Sequence, residues 1–243
     1  MSDIYTIKKF SSQQVLAEKL ASEIAVQLNS AIQKKGSAVI AFSGGSTPKL
    51  MLQELAKENV DWSAVTMTLV DERCVDQTHD LSNAKFLHEC LLNYLPKESN
   101  VTPKFLPLFY PSTSNETELK DKVMENYQAL TGSSSTQFDV VILGMGDDGH
   151  TASFFPDADN VAELVDGNTP ESLLCCESPS TQVPRITWSL PKLLDTSLLV
   201  LHITGETKFS VLENAIGGND QLELPIRSVL MQDQTPLDIY YAA

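Results

Sequence analysis

Apolar residues follow two spacings along the chain, and each spacing predicts one kind of element. Stretches with an apolar residue every three or four positions are typical of amphipathic helices, whereas short unbroken apolar runs are typical of strands buried on both faces of a parallel sheet. The first spacing predicts helices at residues 11–35, 48–55, 83–95, 113–131 and 208–216. The unbroken runs predict strands at residues 38–42, 67–70, 140–143 and 197–203.

The alternation of helices and strands indicates the fold class. Because the chain has no internal repeats, the alternation favours one doubly wound α/β domain over residues 1–243, with a parallel sheet and helices on both of its faces. Open α/β sheets bind ligands at the carboxyl ends of their strands. Polar residues directly after a predicted strand are therefore the first candidates for a functional site.

Capping and breaking residues mark the predicted ends of helices. Thr113 and Glu116 have the spacing of a capping box, which predicts a helix start, and Gly132 predicts the end of that helix. Pro96 predicts the end of the helix before it. Residues 132–137 are interpreted as a polar loop rather than a domain linker, since a predicted strand follows almost at once.

Two segments have a weaker pattern. Residues 96–114 are irregular and contain Pro103, Pro107 and Pro111, and residues 157–184 contain one predicted strand, at residues 172–176. The sequence RITWSL then predicts a helix that starts at Arg185.

A glycine turn with the sequence SGGSTP follows the first predicted strand. Thr47 is predicted to be the N-cap of the next helix and Pro48 its first residue. Free N–H groups and the positive end of the helix dipole favour an anion at such a position. The turn matches neither the P-loop nor the dinucleotide-binding pattern, which argues against a nucleotide; a tight turn with an ordinary cap is the alternative. Its candidate binding residues are Ser43, Gly44, Gly45, Ser46 and Thr47.

Charged residues follow the second predicted strand. Asp71, Glu72 and Arg73 come directly after the apolar run 67–70, so they are expected at the carboxyl edge of the sheet. A solvated loop is the alternative interpretation. Asp71 and Arg73 are the candidate binding residues of this segment.

The third predicted strand leads into the sequence GMGDDGH. Gly144, Gly146 and Gly149 permit positive φ angles, so polar side chains can gather at the end of this strand. The candidate catalytic residues of this turn are its two aspartates, Asp147 and Asp148, and His150. A simple exit from the strand, with His150 as an ordinary surface or core histidine, is the alternative, because a short glycine motif is weak by itself.

Lys208 follows the fourth predicted strand, in the first turn of the next helix. A cation at that position lies at the unfavourable end of the helix dipole, at a cost of about a few tenths of a kcal/mol unless an anion is close. An anion site and a solvated lysine are both compatible with this position.

Composition and charge restrict the possible partners. A chain of 243 residues with 42% hydrophobic residues can bury a sizeable core. The net charge of -15, from 17 basic and 32 acidic residues, argues against a nucleic acid or an anionic membrane as partner. No apolar run approaches the ~18 residues that span a bilayer, and no signal-peptide pattern opens the sequence. We therefore expect a cytoplasmic protein, with a monomer as the default state.

The cysteines and histidines have no spacing typical of a disulfide or a metal site. Cys74, Cys90, Cys175 and Cys176 form no CxxC pair, so they are expected to be reduced thiols. The four histidines are scattered and have no metal-ligand spacing. No metal site is expected from these spacings.

Five motifs together resemble one enzyme family. SGGSTP, DER, GMGDDGHTASFFP, PRITWSLP and ITGETK occur in this order over nearly the whole chain, and the set is similar to the 6-phosphogluconolactonases of the pentose phosphate pathway. The resemblance implies a Rossmann-like parallel sheet, the NagB/RpiA-like fold. It also implies hydrolysis of 6-phospho-D-glucono-1,5-lactone to 6-phosphogluconate without a metal or an organic cofactor.

The implied reaction suggests roles for two residues of the third motif. His150 would deprotonate the attacking water and then protonate the leaving ring oxygen. Asp148, rather than Asp147, would orient the imidazole of His150.

The other motifs would bind the substrate. Arg185 and Lys208 would bind the phosphate, with Ser46 and Thr47 as further candidates, and Arg73 would lie near the lactone or the phosphate. The backbone N–H groups around Gly44 and Gly45 would either stabilise the oxyanion or hold substrate hydroxyls.

Two other functions share parts of this pattern. The related glucosamine-6-phosphate deaminases usually carry a glutamate before the proline that follows the histidine, and an aromatic residue after Asp-Glu. This chain has Phe155 and Arg73 at those positions, with Asp157 one place too late to replace the glutamate. A sugar-phosphate sensor would carry a DNA-binding segment, whereas this sequence begins almost directly with its first predicted helix. These differences favour the lactonase.

Overall fold

The computed structural model describes residues 4–95, 102–132, 137–181 and 183–243, which contain ten strands, eight α-helices and two short 3₁₀-helices, Trp62–Ala64 and Leu92–Tyr94. The strands are β1 (Tyr5–Phe10), β2 (Ala38–Phe42), β3 (Val65–Leu69), β4 (Asp71–Arg73), β5 (Lys104–Leu106), β6 (Val140–Leu143), β7 (Leu173–Cys176), β8 (Arg185–Trp188), β9 (Leu199–Thr204) and β10 (Leu237–Ala242). The helices are α1 (Gln13–Lys35), α2 (Lys49–Leu55), α3 (Asn83–Cys90), α4 (Glu116–Thr131), α5 (Val161–Leu164), α6 (Leu190–Leu194), α7 (Glu206–Ile216) and α8 (Arg227–Leu230).

Seven of the described strands form one parallel sheet, in the order β1-β10-β9-β6-β2-β3-β5. From β2 the chain moves outward through β3 to β5, and it then crosses back to β6 on the other side of β2. The direction of winding therefore reverses between β2 and β6. Open α/β sheets bind ligands at the carboxyl ends of the strands on either side of such a reversal.

The central strands are buried on both faces. Every residue of β2, β3 and β6 is buried, which is the pattern of a parallel sheet between layers of helices. Helix α1 begins after the N-cap Ser12, ends at Gly36 with a φ of 79°, and packs its apolar stripe against β2, β6 and β10. The predicted parallel α/β fold is confirmed.

A small antiparallel sheet follows the carboxyl end of β3. Its strand order is β4-β8-β7, and β4 starts only two residues after β3 ends. The backbone N–H of Trp188 donates to the carbonyl oxygen of Val70 at 3.1 Å, which joins β8 to the chain between β3 and β4. The small sheet is thus anchored at the edge of the main sheet where ligands are expected.

The predicted helix from Arg185 is wrong. Residues Arg185–Trp188 form β8, the middle strand of the small sheet, and α6 begins only at Leu190. All four residues of β8 are buried, and the strand pairs with β4 on one side and β7 on the other. Ile186, Thr187 and Trp188 are residue types that fit such a buried pleated surface, and this tertiary pairing outweighs the local pattern.

The predicted N-cap at Thr47 is also wrong. The N-cap of α2 is Pro48, at φ -76° and ψ -5°, and no side chain caps this helix. The backbone N–H of Lys49 donates to the carbonyl oxygen of Ser46 at 3.4 Å, so the chain already turns before the helix begins.

The predicted capping box at Thr113 and Glu116 is displaced in the structure. The N-cap of α4 is Asn115, whose side chain accepts a hydrogen bond from the backbone N–H of Glu118 at 2.9 Å. The hydroxyl of Thr113 instead donates to the carbonyl oxygen of Tyr110 at 2.7 Å. The end of α4 at Gly132, with a φ of 69°, is confirmed.

The pattern missed the strands β1, β5 and β10. Strands β1 and β5 are the edge strands of the main sheet, and the sequences YTIKKF and KFL contain no long apolar run. Since β1 precedes α1, the fold does not begin with the first predicted helix. The helix end predicted at Pro96 lies outside the described residues, as do residues 133–136 of the predicted polar loop. Of the described helices, none is long and apolar enough to cross a membrane.

Asp139 joins the two strands at the reversal, and its removal should destabilise the fold. Its Oδ2 accepts a hydrogen bond from the backbone N–H of Val39 at 2.7 Å, and its Oδ1 lies 2.9 Å from Nζ of Lys35. Asp139→Ala leaves the buried N–H of Val39 without this acceptor, so we expect the free energy of unfolding to fall by about 2–3 kcal/mol in urea denaturation. Lys35→Ala, whose side chain is 45% exposed, should cost less than about 1 kcal/mol. Equal losses in the two variants would contradict this role of Asp139.

Candidate active site

A cavity of about 460 Å³ lies at the carboxyl ends of β2, β6 and β9, beside the small sheet. This volume is within the usual range of small-molecule sites. The cavity brings together every residue that the sequence singled out as catalytic or substrate-binding, except Asp147. These residues are Ser43, Gly44, Gly45, Ser46, Thr47, Asp71, Arg73, Asp148, His150, Arg185 and Lys208.

Asp148 and His150 form a hydrogen-bonded pair on the wall of the cavity. Oδ1 of Asp148 lies 2.5 Å from Nδ1 of His150, and it also accepts from the backbone N–H of His150 at 3.2 Å. Burial alone would raise the pKa of Asp148, but its hydrogen bonds with His150 and the histidine charge hold that pKa below its ordinary value. The pair holds Nδ1 of His150 at a carboxylate, so Nε2 is the ring nitrogen that is left for a ligand. Asp147 is exposed and does not line the cavity.

The glycines of this turn are required by its shape. A Cβ on Gly146 would lie 2.2 Å from Nδ1 of His150 and 2.5 Å from Oδ1 of Asp148, so no side chain fits there. The backbone N–H of Gly146 donates to the carbonyl oxygen of His150 at 2.9 Å, and Gly149 has a φ of 75°. The chain folds back on itself at the end of β6, and this brings His150 to the cavity.

The SGGSTP turn packs against both this turn and α3. The backbone N–H of Gly144 donates to Oγ of Ser43 at 3.1 Å, which ties the end of β6 to the end of β2. A Cβ on Gly44 would lie 1.9 Å from Oδ1 of Asn83, so Gly44 permits the approach of α3. Gly45 has a φ of 92°. The backbone N–H groups of Gly44 and Gly45 donate to no acceptor among the described residues, so both are available to a ligand.

Asp71, Glu72 and Arg73 form a buried strand, not a solvated loop. Glu72 is 2% exposed, and its carboxylate accepts hydrogen bonds from the backbone N–H groups of Arg73, Asn83 and Ala84 and from the hydroxyl of Ser82. Burial raises the pKa of Glu72, and these four hydrogen bonds offset part of the rise. Glu72 therefore holds β4 to the first turn of α3, which is where a carboxylate also favours the helix dipole.

Two arginines lie side by side at the cavity. Arg73 and Arg185 are directly opposite each other in the pairing of β4 with β8. Burial, followed by the charge of Arg73, lowers the pKa of Arg185. Its Nη1 lies 3.8 Å from Oδ2 of Asp71, and that oxygen also accepts from the hydroxyl of Ser153 at 2.6 Å. The Nε atoms of both arginines are buried without a hydrogen-bond partner among the described residues.

Lys208 completes a local excess of positive charge. It lies in the first turn of α7, whose N-cap is Gly205, and it lines the cavity with the two arginines. Three cations around one cavity attract an anion locally even though the whole chain has a net charge of -15. The site can therefore combine anion binding with proton transfer at His150.

Several cavity residues were not singled out from the sequence. They are Asn83, Met145, Ser180, Thr181 and His202, and Phe155 was named only as a difference from the deaminases. Asn83 was interpreted only as part of a helix, and Ser180 and Thr181 lie in the segment with little pattern. His202 lies within the unbroken apolar run of β9; a histidine inside such a run was the available signal.

The fold and the cavity define an open α/β protein whose ligand site combines a histidine–aspartate pair with a group of cations. The sequence pattern of the family described as glucosamine-6-phosphate isomerases/6-phosphogluconolactonase matches residues 11–237. The chain belongs to this family.

Individual relatives cover nearly the whole chain. The 6-phosphogluconolactonase of Rhizobium meliloti is 39% identical over 233 residues, which are 96% of this chain and 97% of the relative. That of Mesorhizobium japonicum is 36% identical over 98% of this chain and 95% of the relative. The crystal structure of a 6-phosphogluconolactonase from Shewanella baltica superposes with a TM-score of 0.88 at 36% identity, covering 98% of each chain.

The buried imidazole of His202 should make stability depend on pH. Burial, and to a lesser extent the charge of Lys208, lowers the pKa of His202 from 6.5 to about 4. The unfolded chain therefore takes up this proton at a higher pH than the folded chain does. The contribution of His202 to the free energy of unfolding is fully present above pH 6.5. It is lost as the pH falls toward 4, with an upper bound of about 3 kcal/mol. Urea unfolding at several pH values should show a flatter dependence for His202→Leu than for the wild type. Parallel curves would contradict the assignment.

Proposed function

We propose that this protein hydrolyses 6-phospho-D-glucono-1,5-lactone to 6-phospho-D-gluconate in the pentose phosphate pathway. The observation that carries the proposal is the placement of the Asp148–His150 pair and of Arg73, Arg185 and Lys208 around one cavity. A phosphorylated lactone needs both the histidine–aspartate pair and the cations, since it carries an anion at one end and an activated ester at the other. The relatives of this chain that cover nearly its whole length are named for the same activity.

His150 acts as the general base in this proposal. Because Asp148 accepts the hydrogen bond of Nδ1–H, the lone pair of Nε2 is free to take a proton from water. The resulting hydroxide adds to the lactone carbonyl carbon, and the carbonyl oxygen becomes an oxyanion. When the intermediate collapses, the ring C–O bond breaks and the ring oxygen takes the proton from the imidazolium. The carboxylic acid product then releases one proton to solvent.

The oxyanion needs hydrogen-bond donors close to the base. The backbone N–H groups of Gly44 and Gly45 are available, and they lie on a turn that is tied to the end of β6 by Ser43. In this role they stabilise the charge that develops in the transition state. Asp71, on the strand paired with that of Arg185, lies 3.8 Å from its guanidinium and restrains it.

The phosphate binds at the cations. Arg185 presents a planar guanidinium suited to two phosphate oxygens, Lys208 a point charge, and Arg73 a second guanidinium. The nearness of Arg73 to Arg185 is costly without a ligand and becomes favourable when a phosphate dianion binds to both. Ser46 and Thr47 line the same cavity and supply hydroxyls.

Further properties belong to the same proposal. Residues 1–243 act as one domain, and the enzyme is a cytoplasmic monomer that uses no metal or organic cofactor and binds neither nucleic acid nor membrane. The free thiols of all four cysteines support a reducing compartment. The strongly acidic composition supports the absence of nucleic acid as a partner.

Asp157, the first acidic residue after His150, does not support deaminase chemistry. Oδ1 of Asp157 accepts a hydrogen bond from the hydroxyl of Ser178 at 2.5 Å, and Oδ2 accepts from the backbone N–H of Ser180 at 2.9 Å. Asp157 does not line the cavity. Its carboxylate is therefore occupied in holding the loop and is not placed to open a sugar ring.

Proton release from freshly prepared 6-phosphogluconolactone tests the function. In weak buffer, the wild type should release protons well above the spontaneous rate. A rate equal to the spontaneous one, together with ammonia release from glucosamine-6-phosphate, would overturn the proposal in favour of the deaminase.

His150→Ala tests the general base. We expect kcat to fall by about 10²- to 10⁴-fold, because proton transfer is lost, while the Kd of 6-phosphogluconate measured by calorimetry rises by about tenfold at most. An unchanged kcat would place the base elsewhere, with Asp71 as the next residue to replace.

Arg185→Ala and Lys208→Ala test phosphate binding. Each should raise KM by about 10- to 100-fold with a much smaller change in kcat, because a charge-assisted contact to the phosphate is lost. Lys57→Ala is the control, since Lys57 is exposed and pairs only with Glu54 among the described residues. A fall in kcat alone would contradict the phosphate assignment.

A further inference from the structure

Phe155 contacts both His150 and Arg185 in the cavity. Its ring centroid lies 4.4 Å from that of His150, with the two rings tilted by 35°. The guanidinium carbon of Arg185 lies 5.3 Å from the centroid of the same ring. Phe155 is 4% exposed and lines the cavity. One aromatic side chain thus lies against both the proposed base and the arginine proposed to bind the phosphate.

The backbone around Phe155 holds the ring in place. The backbone N–H of Phe155 donates to the carbonyl oxygen of Ser153 at 3.1 Å, and its carbonyl oxygen accepts from Ala158 at 3.2 Å. The hydroxyl of Ser153 donates to Asp71 at 2.6 Å, so the segment is fixed to β4. The neighbouring side chain of Phe154 is fully buried. The ring is therefore a rigid part of the wall.

Arg185 has few other restraints. Within the described part of the chain its side chain has one ion pair, at the long distance of 3.8 Å to Asp71, and its Nε has no hydrogen-bond partner. The negative face of an aromatic ring attracts a guanidinium, most strongly where water is excluded. The Phe155 ring is thus a major determinant of where this guanidinium lies before a ligand arrives.

His150 is restrained at its edge and on its face. Asp148 holds Nδ1 at the ring edge, but a single hydrogen bond leaves the imidazole free to rotate about that contact. Packing against the ring of Phe155 removes this freedom and sets the direction in which Nε2 points. A base that is misplaced by about 1 Å loses a large part of its effect.

We propose that Phe155 is a positioning residue that fixes the proton-transferring imidazole and the phosphate-binding guanidinium relative to each other. The inference rests on the proposed function, because it assigns one ring to both ends of the phosphorylated lactone. The ring sets the separation between the base and the anion site, and that separation selects a lactone whose carbonyl and phosphate lie at the matching distance.

Phe155→Leu and Phe155→Tyr test the proposal with the lactonase assay. Leucine keeps an apolar side chain but removes the aromatic face, so kcat should fall and KM should rise together, each by about three- to tenfold. Tyrosine keeps the face and should stay within about twofold of wild type in both parameters. This joint change differs from the effects expected of His150→Ala on kcat and of Arg185→Ala on KM.

Phe138→Leu is the matched control for the loss of a buried ring. Phe138 is fully buried and packs against Tyr127 and Trp188, outside the cavity lining. The Phe138→Leu substitution should lower the thermal midpoint of unfolding and leave kcat and KM unchanged. If Phe155→Leu does not fold, Phe155→Met takes its place with the same expectation.

Three results would overturn the inference. They are wild-type kinetics in a folded Phe155→Leu variant, a change in only one of its two parameters, and a change of more than about twofold in either parameter of Phe155→Tyr. A wild-type protein without lactonase activity would instead overturn the proposed function, and the positioning role with it, so the two failures are distinguishable.

Discussion

The hydrogen bond between Asp148 and His150 exists only because the chain can fold back on itself at the end of β6. Gly146 leaves the space that the imidazole and the carboxylate occupy, and Gly149 takes a positive φ that other residues disfavour. The turn is fixed from outside as well, since Ser43 accepts a hydrogen bond from Gly144. The reversal of winding between β2 and β6 therefore determines where the proposed base lies.

The small antiparallel sheet supplies what the parallel sheet lacks. Parallel strands end in loops, whereas β4 and β8 place Arg73 and Arg185 opposite each other on a paired backbone. Glu72 secures β4 by accepting three hydrogen bonds from the start of α3 and one from the backbone N–H of Arg73. Fixed geometry thus gathers Arg73, Arg185 and Lys208 at one cavity in a protein whose overall charge is acidic.

The sequence predicted the parallel sheet and the cavity residues better than it predicted the local ends of elements. Buried strands such as β2 and β6 carry long apolar runs, and polar residues at their carboxyl ends must meet at one edge. By contrast, β8 is a strand only because β4 and β7 pair with it, and no local spacing records that pairing. The contact of Phe155 with Arg185 was missed for the same reason, since the two residues are distant in sequence.

A crystal structure with bound 6-phosphogluconate tests the central claim most directly, because it shows which end of the product lies at which wall. We predict the phosphate within hydrogen-bond distance of Arg185 and Lys208, and the C1 carboxylate within hydrogen-bond distance of Nε2 of His150. A product bound in the reverse direction, or with its carboxylate remote from His150, would contradict the division of the cavity into a proton-transfer side and an anion side.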